Sequence, residues 1–340
     1  TLSSSSAASD VYKRQGYGRQ RIYPTAQDVI FYSDKGEVLD YATDKIYDKM
    51  YEADYMINLA CLKAHERSGI TLCAKNHFGS HTRSSAVHMH PGLVWVEEWG
   101  NVMRDSYGHY RIHVDIIGHD KLGGNTMLFI VDGLWGGPEA TMKPVKWQMD
   151  PFNNDWPNSI FASLDPVAIE SVCYDFLRTE FTPENHPDEF EGKNIWFSQY
   201  NATDDYLRQA ADPTTWPTQI ENKDGVLVDF AGYDPNGTGA SLTSLGVHES
   251  WNNEFDRQYS RNLGIGEGIE LIQVDGNIEE TSVPVRTIES LRAYPNPVVN
   301  ELNISAEWPQ GESTLMISIY NMAGQPLRSF TYSTCLLYTS

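Results

Sequence analysis

Three short apolar runs, YMINLA (55–60), NTMLFIVDG (125–133) and SIFAS (159–163), limit what this chain can fold into more than any other feature. Each is far shorter than the roughly 18 residues a membrane-spanning helix needs. Continuous apolar character over so few residues reads as strands buried on both faces, not as strands alternating between core and water. SIFAS leads straight into LDPVAIESVCYDFL, where Asp165 is a good N-cap and Pro166 a good first helical residue.

DVIFYS (28–33) reads as another buried strand. DYATDKIYDKMYEA (40–53) has helical spacing through Tyr41, Ile46, Tyr47 and Met50, so residues 28–60 predict a β-α-β unit. GLVWVEEWGNVM (92–103) predicts a further helix. Strands alternating with amphipathic helices favour an α/β domain with a mostly parallel sheet and flanking helices. From about 182 to 260 the texture changes to Asn, Asp, Pro, Trp and Tyr, which predicts a loop-rich but folded extension wrapped on that core. Residues 276–292 form a polar linker. The segment 293–334 then predicts a small all-β module with a hairpin around MAGQP.

The formal net charge is −21 and the pI about 4.7, a balance that repels phosphate backbones and argues against nucleic acid as a partner. No transmembrane segment is expected. Against this background residues 63–90, KAHERSGITLCAKNHFGSHTRSSAVHMH, stand out. They set Lys63, Arg67, Lys75 and Arg83 against one acid, Glu66, and hold five of the chain's 10 histidines.

Of four cysteines, Cys61, Cys73 and Cys173 lie in the body of the chain and Cys335 at its end, with no C-x-x-C pair. Clustered thiolates are thus missing, which argues against a zinc ribbon and against an iron–sulfur cluster held by this chain. Buried free thiols are one expectation and a single disulfide, for example Cys61 with Cys73, the other. Residues 1–15 (TLSSSSAASDVYKRQ) and 335–340 (CLLYTS) resemble translated sequencing-adaptor read-through at the ends of assembled metagenomic genes. The native fragment is then expected to run from 16 to 334, its N-terminal signal lost.

Two families are resembled. YPNPVVNELNI (294–304) followed by IYNMAGQPL (319–327), with Tyr294, Pro295, Asn296, Pro297, Leu302 and Gly324, resembles the C-terminal sorting domain of proteins exported by the type IX (Por) secretion system of Bacteroidetes. That resemblance implies an immunoglobulin-like β-sandwich, truncated here, that is recognised by the secretion machinery. It also implies a secreted or cell-surface location.

ADYMINLACLKAHERSGITLCAKNHFGS, LFIVDGLWGGP and SIFASLDPVAIESVCYDFL resemble the DUF362 family, a domain of unknown function, over roughly residues 25–275. The matching positions are Lys63, His65, Thr71, Lys75, Asn76, Gly79, Asp132, Gly133, Ser163, Asp165 and Ala168. The domain is assigned to residues 16–275.

Lys63 and His65 follow the strand 55–60, and Asp132 ends the strand 126–131. Ligands of open parallel sheets bind beyond the carboxyl ends of the strands. Lys63, His65, Lys75, Asn76 and Asp132 are therefore the expected catalytic set, able to hold a small anionic ligand and relay a proton. The structural alternative makes Asp132 a turn residue before Gly133, and Lys75-Asn76 a solvated loop.

A second reading is a divalent transition metal. His77 and His81 share a face if helical, and His88 and His90 share one if extended. Gly79 interrupts the helix the first pair needs, and no nearby acid orients the rings. A hydrated cationic loop is the competing reading. YDPNGTG (233–239) invites either a calcium loop or a turn, and His248 is a further residue that could approach the site. The expected function is an exported enzyme acting on a small anionic substrate. The alternatives are a non-catalytic surface protein binding an anion or glycan, and a His-rich metal-binding protein.

Overall fold

The computed structural model describes residues 22–26, 30–34, 44–65, 68–82, 104, 106–139, 142–190, 196–221, 226–274, 291–294, 303–306, 314–320 and 326–333. They belong to two compact units, Thr1–Ile272 and Gln273–Ser340.

In the first unit the apolar runs form one sheet. Strands β1 (Met56–His65), β2 (Gly69–Thr71), β3 (Thr126–Gly137) and β4 (Ser159–Ser163) lie in the order β2-β1-β3-β4. Only β1 and β3 run parallel; β2 turns back on β1 as a hairpin, and β4 pairs antiparallel with β3. The sheet is thus mixed, not mostly parallel. The run 55–60 does not stop where its apolar character stops but continues through Lys63 to His65, because β2 pairs back on it and supplies a second ladder.

One face of this sheet is core. Asn58, Ala60, Leu62 and Ala64 of β1 and Phe129 and Val131 of β3 are buried. Covering them are helices α2 (Cys73–Asn76), α3 (Ile112–Gly118), α4 (Pro166–Glu180) and α5 (Trp196–Ala211). The other face is open among the described residues: Ile57, Leu59 and Ile160 are 62%, 60% and 68% exposed. This departs from the expectation of strands buried on both sides. Lys63 and Asp132 belong to the open face by strand alternation.

Helix α4 forms as the sequence predicts. Asp165 accepts hydrogen bonds from the amides of Val167 (2.8 Å) and Ala168 (2.9 Å), and Pro166 opens the first turn. Val167, Cys173, Leu177 and, just beyond the last turn, Phe181 then face the core. The second oxygen of Asp165 accepts the amide of Val247 at 2.9 Å, which ties the extension to the same cap. Gly246 permits this approach, since a Cβ there would lie 2.0 Å from the Asp165 carboxylate.

Two predicted elements are absent. Residues 30–32 are not a strand: the amide of Phe31 bonds the carbonyl of Pro235 (3.1 Å), and Ser33 bonds Asp115. The segment is bound to the extension and to α3, so the first β-α-β unit does not form. Among the described residues of 40–53, α1 (Asp48–Tyr51) alone is helical, and it has no buried residue of its own. The helix predicted at 92–103 lies outside the described residues, as do His88 and His90.

The extension carries a helix the composition hid, the 16-residue α5. Tyr200, Thr203, Tyr206, Leu207 and Ala210 recur at helical spacing and are buried. Beyond it, residues 226–274 are largely irregular, with β5 (Gln219–Glu221) and β6 (Leu227–Asp229) as a short pair before and within them. In the second unit the described elements are strands. β7 (Leu291–Tyr294) pairs with β8 (Asn303–Ala306), and β9 (Thr314–Tyr320) pairs with β10 (Pro326–Ser333), the hairpin predicted around MAGQP.

Because Asp165 caps α4 and tethers the extension with the same carboxylate, Asp165→Ala removes both. A loss of about 1–2 kcal/mol is expected for the cap alone. Urea denaturation checks it; a midpoint equal to wild type would contradict the dual role.

Candidate functional site

The expected catalytic residues divide into two groups. Lys63 and His65 lie at the carboxyl end of β1, in register with Thr71 and Gly69 of β2. Asp132 lies on β3 opposite Cys61, two residues before Lys63, so Lys63 and Asp132 are near neighbours on one face. Lys63 is half-buried, and no carboxylate pairs with it among the described residues. His65 is buried.

Asp132 accepts the amide of Leu134 at 2.9 Å, the turn role weighed for it above. It precedes a bulge in which residues 133–136 of β3 stand against Leu62 alone, before Gly137 meets Lys63. Gly133 is required there because a Cβ would press against Leu62 and the carbonyl of Ser159, each 3.0 Å away.

Lys75 and Asn76 belong to α2, which folds back toward the start of β1. Asn76 donates to Asn58 Oδ1 (2.9 Å) and to the carbonyl of Leu59 (3.1 Å). At about 3.3 Å per strand residue, Leu59 lies well over 10 Å from Lys63. The structure therefore does not bring Asn76 to Lys63 and His65. The Lys75 ammonium lies 4.6 Å from the centre of the Phe78 ring.

Asn58, a polar residue in the middle of an apolar strand, organises this second group. Its amide nitrogen donates to the carbonyl of Cys73 (2.8 Å) and approaches His77 Nε2 (3.0 Å), while its oxygen accepts from Asn76. A donating Asn58 makes His77 Nε2 an acceptor, so the ring proton sits on Nδ1 and points to Ser80 Oγ at 3.0 Å. Burial, with His119 adding to it, pushes the His77 imidazole down to about 4, so it is neutral at physiological pH.

Both His77 nitrogens are thus spent within the protein. His77 opens a 3-10 turn that follows α2, whereas His81 sits in an isolated bridge with Ile46, its Nδ1 3.8 Å from Asp44. The helical pairing of His77 with His81 is not formed, for the reason that Gly79 suggested. Among the described residues no group of three or more His, Cys, Asp or Glu is arranged to hold a metal. At the YDPNGTG segment Asp234 accepts from Thr238 and from the amide of Gly239, which makes it a turn and not a calcium loop.

His248 does not approach Lys63. It bridges two helices, with Nδ1 2.8 Å from Ser171 Oγ on α4 and Nε2 3.2 Å from Asp204 on α5. The order serine, histidine, aspartate invites comparison with a nucleophile relay. Ser171, however, is fully buried and gives its proton to the carbonyl of Val167 at 2.7 Å. A serine so enclosed is not presented to a substrate, whichever ring nitrogen carries the proton.

A cavity of about 430 Å³ lies beside β4 and the start of α4. It is lined by Ser163, Asp165 and Ala168, with Val247, Arg261 and Glu267 across from them. Both oxygens of Asp165 are engaged there by backbone amides.

Sequence reasoning missed Asn58, Glu170 and Asp115. Asn58 could have been found as the one polar residue of YMINLA. Glu170 and Asp115 carry no local signal, since only the fold buries them.

The chain belongs to the DUF362 family: residues 3–175 match the family described as Domain of unknown function (DUF362). Residues 292–335 match the secretion system C-terminal sorting domain, which marks the chain for secretion. No curated protein and no solved structure matches it. The first match begins within the segment that resembles adaptor sequence and ends inside α4, so it takes in Lys63, Lys75, Asp132 and Asp165 alike.

Glu170 and Asp115 give the scaffold a pH dependence. Burial pushes each carboxyl up to about 7, against the amide of Ala74 on Glu170 and against Ser33 and Tyr110 on Asp115. A raised carboxyl contributes stability that is full below its ordinary value near 4 and is lost as pH rises through about 7. The chain is expected to lose roughly 3 kcal/mol per group over that window. Urea midpoints at pH 5 and 8 check this; Glu170→Gln should cut the difference by about half, Asp115 still titrating, and an unchanged slope would refute it.

Proposed function

We propose that this exported DUF362-family chain binds and acts on a small anionic substrate at the carboxyl end of β1 and β3. In this reading Lys63 holds the anion and His65 moves a proton. Asp132 fixes the bulge of β3 beside them. Lys75 and Asn76 brace α2 against β1 and take part only indirectly.

The observation that carries the reading is the parallel register of β1 and β3, with a half-buried lysine that has no carboxylate partner next to Asp132. A lysine in that setting is a ready electrostatic anchor, because no carboxylate is ion-paired with it among the described residues. The buried imidazole of His65 two residues on is the group best suited to proton movement near neutral pH. The sorting tail, read as an immunoglobulin-like address for the type IX secretion machinery, would put this site at or beyond the cell surface.

Calorimetric titration with inorganic phosphate and with succinate tests the site. Wild type is expected to bind at least one of them, and Lys63→Ala to bind at least tenfold more weakly, about 1.4 kcal/mol. Asn76→Asp should leave that affinity within a factor of two. Binding by neither anion, or equal binding by Lys63→Ala, would remove the basis of the proposal.

A further inference from the structure

The bulge of β3 sets a tryptophan beside Lys63. Gly133, Leu134, Trp135 and Gly136 stand between the pairing of Asp132 with Cys61 and that of Gly137 with Lys63. Both glycines of the bulge face the core. A Cβ on Gly133 would press on the side chains of Leu62 and Phe161, at 3.0 and 3.2 Å, and one on Gly136 would overlap the ring of the buried Trp147. The two residues between them are turned the other way, and Leu134 and Trp135 are 40% and 58% exposed.

Lys63 belongs to that same open face, since Leu62 and Ala64 on either side of it are buried. Ile160, in register with Asp132, is exposed there too. So is Cys61, a free thiol, and the Cys61–Cys73 bridge is not formed. Gly137 lies across from Lys63 at the strand spacing, and Trp135 is two residues from Gly137. The Cα atoms of Lys63 and Trp135 are thus within about 12 Å, a gap that one small ligand touching both side chains can bridge.

The backbone that presents the indole is fixed. Gly136 rests on Trp147, and its carbonyl accepts the amide of Val145 at 3.2 Å. Among the tryptophans whose burial is described, Trp135 alone is exposed. An indole held in water on a rigid strand offers a large flat apolar surface at little ordering cost, and Leu134 and Ile160 border it.

We propose that the ligand of this site carries an uncharged aromatic ring beside its anionic group, and that the ring lies on Trp135. The inference rests on the anion site proposed above and adds what selects among anions. Lys63 holds the charge of any of them, whereas Trp135 favours those with a ring, through stacking and the removal of apolar surface from water. Trp135 is a specificity residue and touches no reacting atom.

For whichever of inorganic phosphate and succinate binds, its phenyl and cyclohexyl derivatives are titrated beside it by calorimetry. The phenyl derivative should bind about tenfold more tightly than its parent, and the cyclohexyl derivative, apolar but not flat, should gain less than threefold. Trp135→Ala should bring the phenyl derivative within a factor of two of its parent and leave the parent's affinity as in wild type. Trp135→Phe should keep most of the gain, and Lys63→Ala should weaken every ligand. Four results would overturn the inference and leave the anion site standing: a phenyl derivative no tighter than its parent, a cyclohexyl derivative equal to it, a gain that survives Trp135→Ala, or an equal loss for parent and derivative in that variant. Binding of neither parent nor derivative would instead remove the anion site, and this inference with it.

Discussion

Carboxylates, buried and half-buried, that accept backbone amides hold this molecule together. Residues 226–274 have almost no ladder of their own, yet every buried amide must find an acceptor. Asp165 takes that of Val247, Asp175 that of Trp251, and Glu249 those of Ser260 and Ile269. The pattern recurs nearer the sheet, where Glu180 takes the amides of Gln148 and Met149 and Asp205 those of Gly108 and His109. A hydrogen bond to a charged acceptor is worth about 1.5–3 kcal/mol, more than a neutral one. Long irregular segments can therefore be fixed without strands, provided the helices beneath present acids. Part of the chain's acidic balance is structural in this sense.

That device also explains which parts of the fold were legible in the sequence. Helix α4 was, because Asp165, Pro166 and the apolar period that follows are local signals. So were β3, β4 and the β9–β10 hairpin. Helix α5 was not, since its buried face is built from tyrosine, threonine and alanine and its texture matches the loops around it. The strand expected at 28–33 failed for the opposite reason. Its apolar residues are real core, but Ser33 is captured by Asp115 and Phe31 by Pro235, partners 82 and 204 positions away that no local window contains.

The candidate site shows the same division. Lys63, His65 and Asp132 were placed near one another by the rule that side chains at the ends of adjacent parallel strands converge. The same motif spacing put Lys75 and Asn76 with them, and there the inference went too far. Asn58 reaches α2 from the buried face of β1 and draws Asn76 and His77 into a closed set of hydrogen bonds. Motif residues can thus share a sequence pattern while serving two ends of one strand, one group open to ligand and the other holding the helix in place.

A net charge of −21 does not forbid an anion site. Range decides the question. At physiological ionic strength charges separated by more than about 8 Å are largely screened, so acids committed to remote caps and tethers add little at Lys63. What acts there is the nearest charge in the least hydrated position. Lys63 is half-buried, has no ion pair among the described residues and stands where β3 bulges away to give it room. The global field slows the approach of an anion, whereas contact distances set how tightly it is held. An acidic protein that uses its carboxylates as internal acceptors can thus keep one cationic position available at the edge of its sheet.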